Sequence, residues 1–260
     1  MTILEQLSEY AKERCETSKQ KVSLQEIRKT AFSLPKGDFC FEKALRKSEL
    51  SFICECKKAS PSKGLIAPEF PYLQIAKEYE TAGADCISVL TEPKWFLGNN
   101  EYLREIAENV KIPCLRKDFT VDEYMIYEAK LLGASAVLLI VSILSQQQLG
   151  EYIAVCDELG LSALVETHDE NEVQTALNIK ARIIGVNNRN LKNFSVDTQN
   201  SQRLRNIIPK DIIFVSEIGV RTAEDVRALR DMGADAVLIG ETLMKAPDKR
   251  QKLKELKGLL

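Results

Sequence analysis

The sequence predicts a parallel (β/α)8 barrel of the α/β class, preceded by a helical N-terminal extension. Three observations lead to this fold: a weak internal repeat, a regular alternation of apolar strands with amphipathic helices, and polar side chains at the ends of several strands. The length of 260 residues fits, because barrels of about 250 residues fold as a single domain. We therefore expect one TIM barrel domain over residues 1–260, of which residues 1–45 form the extension.

The internal repeat sets the spacing of the units. The segments T-A-G-A-D-C-I-S-V, L-L-G-A-S-A-V-L-L-I and D-M-G-A-D-A-V-L-I-G each pass from a helix end through Gly-Ala into a strand. Their glycines are Gly83, Gly133 and Gly233, separated by two and four units of about 25 residues, the length of one strand-helix step in an eightfold barrel. The repeats therefore mark strands two, four and eight.

Apolar, β-branched runs supply the other strands. Strands one, three, five, six and seven are predicted near residues 51–57, 112–117, 161–166, 182–187 and 211–216. Amphipathic helical segments lie between them, among them residues 121–132, 146–159 and 223–232. Because the strands are apolar throughout, both faces of the sheet are predicted to be covered, which favours a closed parallel barrel over an open doubly wound sheet.

The first 45 residues stand outside this alternation. Residues 3–17 and 23–31 predict two helices, the second beginning with a capping box of Ser23 and Glu26. This arm either plugs the lower end of the barrel or folds over its mouth and shapes a pocket there.

Composition excludes several classes of function. A net charge of −2 with scattered Lys and Arg predicts no nucleic-acid partner. The N-terminus lacks a basic and apolar leader, and the longest apolar stretch, residues 136–144, is too short for a span, so we expect neither secretion nor a membrane partner. Seven cysteines without framework spacing indicate reduced thiols and a cytoplasmic protein. A single histidine, His168, excludes a histidine-cluster metal site.

Side chains capable of acid-base chemistry end four of the predicted strands. Glu55 and Lys57 end the first strand, two apart and hence on one face. Lys117, Glu166 and Asn187 end strands three, five and six. Because the carboxyl ends of barrel strands converge on one mouth, we expect these five residues to form the catalytic site. A semi-buried lysine serves as acid, base or nucleophile, so Lys117 alone does not identify the reaction.

For residues next to these strand ends, the sequence gives weaker evidence of a role in the site. His168 shares sequence parity with Glu166, but parity carries little information in a loop, so we assign it no role in the site. Asp169 is predicted to cap the following helix. Arg189 follows Asn187 as a candidate anion contact.

Two glycine turns after strands seven and eight predict a phosphate site. They read S-E-I-G-V at residues 216–220 and L-I-G-E-T-L-M at residues 238–244. Glycine lets backbone N–H groups approach an anion, and these two loops hold phosphate in many barrels. Ser60, in the loop after the first strand, is placed to add a hydroxyl.

Together these motifs resemble the indole-3-glycerol phosphate synthase family. The chain reads E-C-K-K-A-S-P-S-K-G for the family's E-x-K-K-A-S-P-S-K-G and L-T-E-P-K-W-F-L-G for its L-T-E-x-x-x-F-x-G. R-K-D-F, L-V-E-T-H-D-E, N-N-R-N-L and L-I-G-E-T-L-M follow in family order, and the resemblance spans the whole chain. It implies a carboxy-lyase of tryptophan biosynthesis, with other enzymes of that pathway as candidate partners.

The reaction implied by the resemblance needs no cofactor. It converts the phosphosugar-anthranilate substrate, 1-(2-carboxyphenylamino)-1-deoxyribulose 5-phosphate, to indole-3-glycerol phosphate with loss of carbon dioxide and water. The resemblance makes Lys117 the proton donor in ring closure and Glu166 the base or proton shuttle in dehydration. Lys57 holds the substrate carboxylate or phosphate and supplies a later proton, while Glu55 and Asn187 orient Lys57 and the sugar hydroxyls.

The resemblance also implies the binding residues. An apolar slot for the aromatic ring is assigned to Phe96, Phe119, Leu138 and Leu191. Polar substrate contacts are assigned to Ser60, Arg189 and Glu217. Phosphate contacts are assigned to Lys57, Ser60, Gly219, Gly240, Glu241 and Thr242.

Two positions in the phosphate loops depart from the family pattern. Ile218 replaces the second serine of S-E-S-G-I, and Thr242 replaces the serine of G-E-S-L-M. Thr242 keeps a hydroxyl, whereas Ile218 removes the one beside the phosphate and sugar. Loss of one hydrogen bond predicts affinity weaker by up to about tenfold, without loss of the chemistry.

Three other functions remain open on the residues alone. A phosphoribosylanthranilate isomerase would use a cysteine such as Cys54 with an aspartate, but Glu55 and Lys57 carry the parity that faces the mouth. A Schiff-base aldolase would use Lys117 as an amine nucleophile. A non-catalytic barrel that binds a phosphorylated ligand or a partner protein would explain Ile218 as decay, although the catalytic positions are all retained.

Overall fold

The computed structural model describes residues 2–189, 197 and 199–259, and in them eight parallel strands close into a barrel. Strands β1 to β8 are Ser51–Cys56, Cys86–Leu90, Cys114–Lys117, Ala136–Ile140, Ser162–Thr167, Ile183–Asn187, Ile213–Glu217 and Ala236–Ile239. Each strand pairs with its neighbours in chain order, and β8 closes the barrel by pairing with β1, where Ile53 lies opposite Leu238. The predicted (β/α)8 fold is confirmed.

Helices surround the barrel and precede it. Helices α1 to α3 are Ile3–Lys21, Leu24–Ser33 and Cys40–Leu45. Helices α4 to α12 are Tyr72–Thr81, Asn100–Asn109, Glu123–Leu131, Gln146–Leu159, Glu170–Asn178, Gln199–Arg205, Ala223–Asp231, Glu241–Lys245 and Lys249–Lys257. A short hairpin of Ala59–Ser60 and Gly64–Leu65 lies in the loop after β1. In the described ranges, no helix combines the length and apolar character needed to span a membrane.

The predicted helix signals are confirmed at several ends. Ser23 accepts a hydrogen bond from the backbone of Glu26, whose carboxylate accepts one from the backbone of Ser23, as in a capping box. Asp169 caps α8 through the backbone N–H of Glu172. Gly133, one of the repeat glycines, follows α6 with φ of 81°, a conformation that glycine adopts without a steric penalty. The bounds of α1 differ, because this helix continues to Lys21 instead of ending at residue 17.

The core has two layers, because strand side chains alternate in direction. Inward residues such as Leu115 and Leu164 fill the barrel interior. Outward residues such as Cys54, Val137 and Val165 pack beneath the helices. Both faces of the sheet are therefore covered, which accounts for the unbroken apolar character of the strands.

Helix α3, which the sequence did not predict, closes the lower end of the barrel. Phe41 and Leu45 are fully buried in the interior layer. The backbone N–H of Glu42 donates a hydrogen bond to the hydroxyl of Ser162, at the start of β5. This part of the extension plugs the end of the barrel that is opposite to the predicted site.

Helix α1 lies at the other end, over the mouth. Its residues Ile3, Leu4 and Leu7 line the cavity formed by the carboxyl ends of the strands. Arg14, farther along α1, donates two hydrogen bonds of 2.6 and 3.1 Å to the carboxylate of Asp118, just after β3. The extension therefore adopts both of the predicted placements, with α3 below and α1 above.

Candidate active site

The carboxyl ends of the strands enclose a pocket of about 810 Å³, open solvent at its rim included. All five residues predicted as catalytic line it: Glu55, Lys57, Lys117, Glu166 and Asn187. Most of the remaining wall is apolar and comes from strand ends, from the loops after β2 and β3, and from α1. A mostly apolar pocket with a few convergent polar groups is typical of a small-molecule site.

Lys117 lies at the centre of the polar groups. Its Nζ donates to Glu166 Oε2 at 3.0 Å and to Glu217 Oε2 at 3.1 Å. Both carboxylates are nearly inaccessible to solvent, so a single ammonium is shared between two buried acids. Asn187 donates to the other oxygen of Glu166 at 3.2 Å, which leaves Glu166 held on both oxygens.

Sequence reasoning placed Glu217 among the substrate contacts and missed its bond to Lys117. The seventh strand was expected to end at residue 216, but β7 continues to Glu217. Glu217 is thus a polar strand end like the five residues of the predicted site. Because the predicted strand ended one residue too early, Glu217 was not recognised as a polar residue at a strand end.

The charges around Lys117 keep it protonated. Burial disfavours its ammonium, but the carboxylates of Glu166, Glu217 and Glu55 outweigh burial and raise the pKa of Lys117. An ammonium that is held in its acid form is suited to donate a proton. It is poorly suited to act as an amine nucleophile, which must be neutral.

The two carboxyls that share Lys117 differ in acidity. Burial raises the pKa of Glu166, but Lys117, His168 and the hydrogen bonds from Lys117 and Asn187 lower it to about 2. For Glu217, burial prevails over Lys117, and the neighbouring Glu166 adds repulsion, so the pKa of Glu217 rises to about 7. The two carboxylates differ in their hydrogen bonds. Glu166 accepts one on each oxygen, whereas Glu217 Oε1 has no hydrogen-bond partner among the described residues.

Two glycines make room for the acidic side chains. A Cβ on Gly185 would lie 2.2 Å from Glu217 Oε1. A Cβ on Gly240 would lie 2.5 Å from Glu55 Oε1 and 2.9 Å from Lys57 Nζ. Gly240, predicted as a phosphate contact, thus also gives space to the Lys57–Glu55 ion pair, whose N–O distance is 2.8 Å.

The predicted apolar slot is present where the structure describes it. Phe96, Phe119 and Leu138 line the pocket, and the two aromatic rings lie with centroids 6.0 Å apart. Leu191, the fourth predicted residue, lies outside the described residues. Buried Glu92 accepts hydrogen bonds from three backbone N–H groups of the loop that carries Phe96, which holds this part of the slot in place.

A second pocket adjoins the first on the side of β7 and β8. Its lining includes the predicted phosphate contacts Lys57, Gly219, Gly240, Glu241 and Thr242, together with Lys63, Arg189 and Arg221. The hydroxyl of Thr242 donates to the carbonyl of Val220 at 2.6 Å, so in this structure it does not donate to a ligand. The Glu241 carboxylate pairs with Lys245 at 2.7 Å. Backbone N–H groups and basic side chains are therefore the anion donors that this pocket offers.

Ser60 lines the first pocket, and Arg189 lines both pockets. Ser60 is buried, and its hydroxyl has no hydrogen-bond partner among the described residues. Arg189 donates to the hydroxyl of Ser62 at 2.6 Å, in the loop after β1. A free hydroxyl in the first pocket and a guanidinium that lines both pockets suit a ligand that carries an anionic end.

Ile218 lines both pockets and has an unusual backbone conformation. Its φ is 67°, in the left-handed region that a β-branched residue rarely occupies. Asn188 holds the carbonyl of Ile218 with a hydrogen bond of 3.0 Å. A residue without a hydroxyl thus lies between the two pockets, as the sequence indicated.

Comparisons with known proteins decide between the open alternatives. The family model described as indole-3-glycerol phosphate synthase matches residues 4–256. An indole-3-glycerol phosphate synthase from Ruminiclostridium cellulolyticum is 56% identical over 257 residues, which cover 98% of this chain and 99% of that protein. The chain belongs to the indole-3-glycerol phosphate synthase family. A second indole-3-glycerol phosphate synthase, from Lachnoclostridium phytofermentans, is 50% identical and covers 99% of this chain and 100% of that protein.

Two more distant solved structures resemble this indole-3-glycerol phosphate synthase family member in fold. A thiamine phosphate pyrophosphorylase from Pyrococcus furiosus has a TM-score of 0.62 at 14% identity, over 84% of this chain and 96% of that chain. A tryptophan synthase complex from Pyrococcus furiosus has a TM-score of 0.61 at 15% identity, over 80% of this chain and 98% of that chain. The isomerase alternative loses its main residue, because Cys54 is buried in the outer core layer and burial raises the pKa of its thiol.

Proposed function

We propose that this chain catalyses the indole-3-glycerol phosphate synthase reaction in the barrel mouth, with Lys117 as general acid and Glu166 as general base. The observation that carries the assignment of these roles is the Lys117 ammonium held between two buried carboxylates at 3.0 and 3.1 Å. This arrangement keeps a proton donor and a proton acceptor in contact within one apolar pocket. The reaction needs both, because it adds a proton to an oxygen and removes one from a carbon.

Ring closure is the step assigned to Lys117. The substrate's aromatic carbon attacks the ketone carbon, and negative charge develops on the ketone oxygen. Lys117 donates its proton there, which avoids a free alkoxide in a pocket of low polarity. The apolar slot formed by Phe96, Phe119 and Leu138 holds the aromatic ring against the ketone.

Loss of carbon dioxide restores the aromatic ring, and dehydration then completes the indole. We assign removal of the carbon-bound proton to Glu166, whose lowered pKa keeps it ionised. Lys57, paired with Glu55, holds an anionic end of the substrate and supplies a proton to the departing hydroxyl. The hydrogen bond from Asn187 orients the Glu166 carboxylate for this step.

Binding of the substrate phosphate is assigned to the second pocket. Gly219 and Gly240 allow close approach of the backbone there, and Arg189 adds positive charge. Ser60 offers an unused hydroxyl from the wall of the adjoining first pocket. The Schiff-base aldolase is disfavoured, because Lys117 would have to lose its proton while next to two acids.

The proposal also includes a cellular setting. Seven cysteines are free, and most of them are buried, which suits a reducing compartment. We therefore place the enzyme in the cytoplasm, where other tryptophan-pathway enzymes are candidate partners.

The test is indole fluorescence over time, after purified protein is mixed with 1-(2-carboxyphenylamino)-1-deoxyribulose 5-phosphate. Wild type should produce a rise that Lys117→Met reduces by about 10²-fold or more, the usual contribution of a positioned general acid. Lys111→Met is the matched control, since Lys111 is exposed just before the same strand at its opposite end. Turnover by Lys117→Met near the wild-type rate would refute the assigned proton donor.

A further inference from the structure

The second pocket, to which the substrate phosphate is assigned, holds a carboxylate among its cations. Glu241 Oε1 is 2.7 Å from Lys245 Nζ and 3.6 Å from Lys63 Nζ, and Glu241 Oε2 is 3.9 Å from Arg189 Nη2. The three cations come from α11, from the hairpin after β1 and from the residues that follow β6. All four residues line the pocket. An acid therefore lies where an anionic ligand is expected to bind.

Glu241 differs from the other acid of this pocket. Among the described residues that line it, the other acid is Glu55, which pairs with Lys57 at 2.8 Å. The Glu55 side chain is only 4% exposed, whereas that of Glu241 is 29% exposed. Glu241 can therefore leave its cations and turn towards water, which the buried Glu55 cannot do.

The Glu241 side chain carries a negative charge at neutral pH. Burial would raise the pKa of Glu241, but the hydrogen bond and the charge of Lys245, together with the charges of Lys63 and Lys57, lower it below its usual range. A carboxylate attracts the same cations as a phosphate does, and it repels a phosphate that is placed beside it.

Two of the three contacts of Glu241 are long. The distances of 3.6 Å to Lys63 and 3.9 Å to Arg189 exceed those of a hydrogen bond, so these contacts are charge pairs only. The contact with Lys245 is a hydrogen bond, but Lys245 is exposed and lies on the same short helix. Such contacts can be exchanged for contacts with another anion at little cost.

The inner cations of the pocket are held in place without Glu241. Arg189 donates through Nη1 to the hydroxyl of Ser62 at 2.6 Å, and its backbone N–H donates to Asn187 Oδ1 at 2.9 Å. Lys57 is held by Glu55. The carboxylate of Glu241 is therefore not needed to position these two cations, and its effect on a bound phosphate is mainly repulsive.

We propose that the Glu241 side chain is an internal competitor of the substrate phosphate, which pairs with the cations of the second pocket and lowers the affinity of this pocket for phosphate. As a phosphate enters, the cations exchange the carboxylate for phosphate oxygens, and no covalent bond is made or broken. As the phosphate leaves, the carboxylate pairs with them again. The inference rests on the proposed phosphate site and deepens it, because the side chain opposes a ligand that the backbone of the same loop is expected to bind.

The competitor role has a consequence for turnover. The product of the proposed reaction carries the same phosphate as the substrate, so it is held by the same cations. A carboxylate that competes for these cations shortens the time that the product stays bound, because differences in affinity at one site lie mostly in the dissociation rate.

The opposite role predicts an effect of opposite sign. If Glu241 ordered the cations for an incoming phosphate, its loss would weaken phosphate binding. If Glu241 competes with the phosphate, its loss strengthens phosphate binding. The direction of the change in Kd therefore separates the two roles.

The experiment measures the Kd of inorganic phosphate for wild type and for Glu241→Gln, which keeps the size of the side chain and removes its charge. Kd is obtained from the rise in melting temperature with phosphate concentration at constant ionic strength. It should fall about three- to tenfold in Glu241→Gln, the effect of removing one partly exposed like charge. The difference should shrink when KCl is raised, since salt screens such a charge.

Turnover assays locate the bound phosphate. Inorganic phosphate should inhibit competitively with the substrate, and its Ki should fall in Glu241→Gln by the same factor as Kd. The Ki of the product, indole-3-glycerol phosphate, should fall as well. Phosphate that does not compete with the substrate would lie elsewhere on the protein, and this result would overturn the inference.

Matched variants control for net charge and for folding. Glu101→Gln removes an exposed acid that pairs with Arg104 on α5 at 2.9 Å and lines neither pocket, so it should leave the Kd of phosphate unchanged. Glu241→Asp keeps the charge and should stay closer to wild type than Glu241→Gln. Glu241→Ala is a second neutral variant if Glu241→Gln does not fold.

The outcomes distinguish the competitor role from the proposed function. An unchanged or higher Kd in Glu241→Gln would overturn the competitor role, and the proposed function would still stand if Lys117→Met is inactive. If Lys117→Met keeps the wild-type rate, the proposed function fails, while the two Kd values still decide the role of Glu241. Failure of every variant and of wild type to bind phosphate would overturn both the competitor role and the assigned phosphate site.

Discussion

Among single residues, the decisive feature is that one ammonium serves two buried acids. Lys117 satisfies Glu166 and Glu217 at similar distances, yet Glu166 has additional donors and Glu217 has none on its second oxygen. Glu217 therefore binds a proton more readily than Glu166, which stays ionised. This asymmetry separates an ionised base from an acid that titrates near neutrality.

Stability should depend on the titration of Glu217. Its pKa in the folded protein is about 7, above the ordinary 4.5, so between these values the folded state holds a proton that the unfolded state has released. The contribution of Glu217 to stability therefore falls as pH rises through this window. Glu217→Gln removes that contribution, so the melting temperature of the variant relative to wild type should increase with pH. A constant difference across this window would contradict the raised pKa.

A second prediction concerns Ile218, which occupies a left-handed backbone position between the two pockets. Ile218→Ser introduces a hydroxyl beside the phosphate contacts and removes a β-branched side chain from that conformation. We expect KM to fall by up to about tenfold with kcat unchanged, the effect of one added hydrogen bond. Steady-state kinetics measure it, and an unchanged KM would show that the hydroxyl makes no contact with the substrate.

Between elements, the main link is the attachment of α1 to the end of β3. Arg14 makes a bidentate pair with Asp118, which is fully buried and follows Lys117 in sequence. Burial alone would raise the pKa of Asp118, but Arg14 and Arg116 lower it, so this carboxylate is charged in the core. The helix over the mouth is thereby joined to the strand that carries the proposed acid.

Arg14→Ala should show the strength of this link. It leaves a buried carboxylate without its main partner, which typically costs about 3 kcal/mol in the free energy of unfolding. We also expect a lower kcat, because Asp118 adjoins Lys117. Urea denaturation and indole fluorescence measure the two effects. Lys12→Ala, which removes an exposed ion pair with Glu9 on the same helix, should change stability by less than about 1 kcal/mol.

For the molecule as a whole, the barrel separates stability from chemistry. The lower end is closed by α3, and the upper end carries the acids, the lysines and the two pockets. This division is expected of a fold in which the strands' carboxyl ends hold the site.

Phe41→Ala tests this separation. Phe41 is fully buried at the lower end, so its removal should lower the free energy of unfolding by about 3–5 kcal/mol. KM and kcat of the folded variant should stay at wild-type values. Phe32→Ala is the control, since Phe32 is 43% exposed and its loss should cost far less. A changed KM in Phe41→Ala would mean that the two ends are coupled.

Local patterns were enough to predict the barrel and most of the polar side chains that line its pocket. The periodicity of hydrophobic residues, the apolar runs and the Gly-Ala repeats all depend on residues close together in the chain. These patterns identified all eight strands. The polar strand ends then predicted which side chains meet, because the geometry of a parallel barrel brings those ends together. The exceptions were α3, which is only six residues long, and the end of β7 at Glu217.

The pairing of these side chains was decided only by the tertiary structure. No local pattern indicates that Lys117 is shared with Glu217, or that His168 reaches Glu166 and Glu172, because those distances depend on how neighbouring strands and α8 pack. The acidity of each group follows from the same packing, since burial and the number of nearby donors set its pKa. Sequence determined which groups face the mouth, and three-dimensional contact determined which of them hold protons.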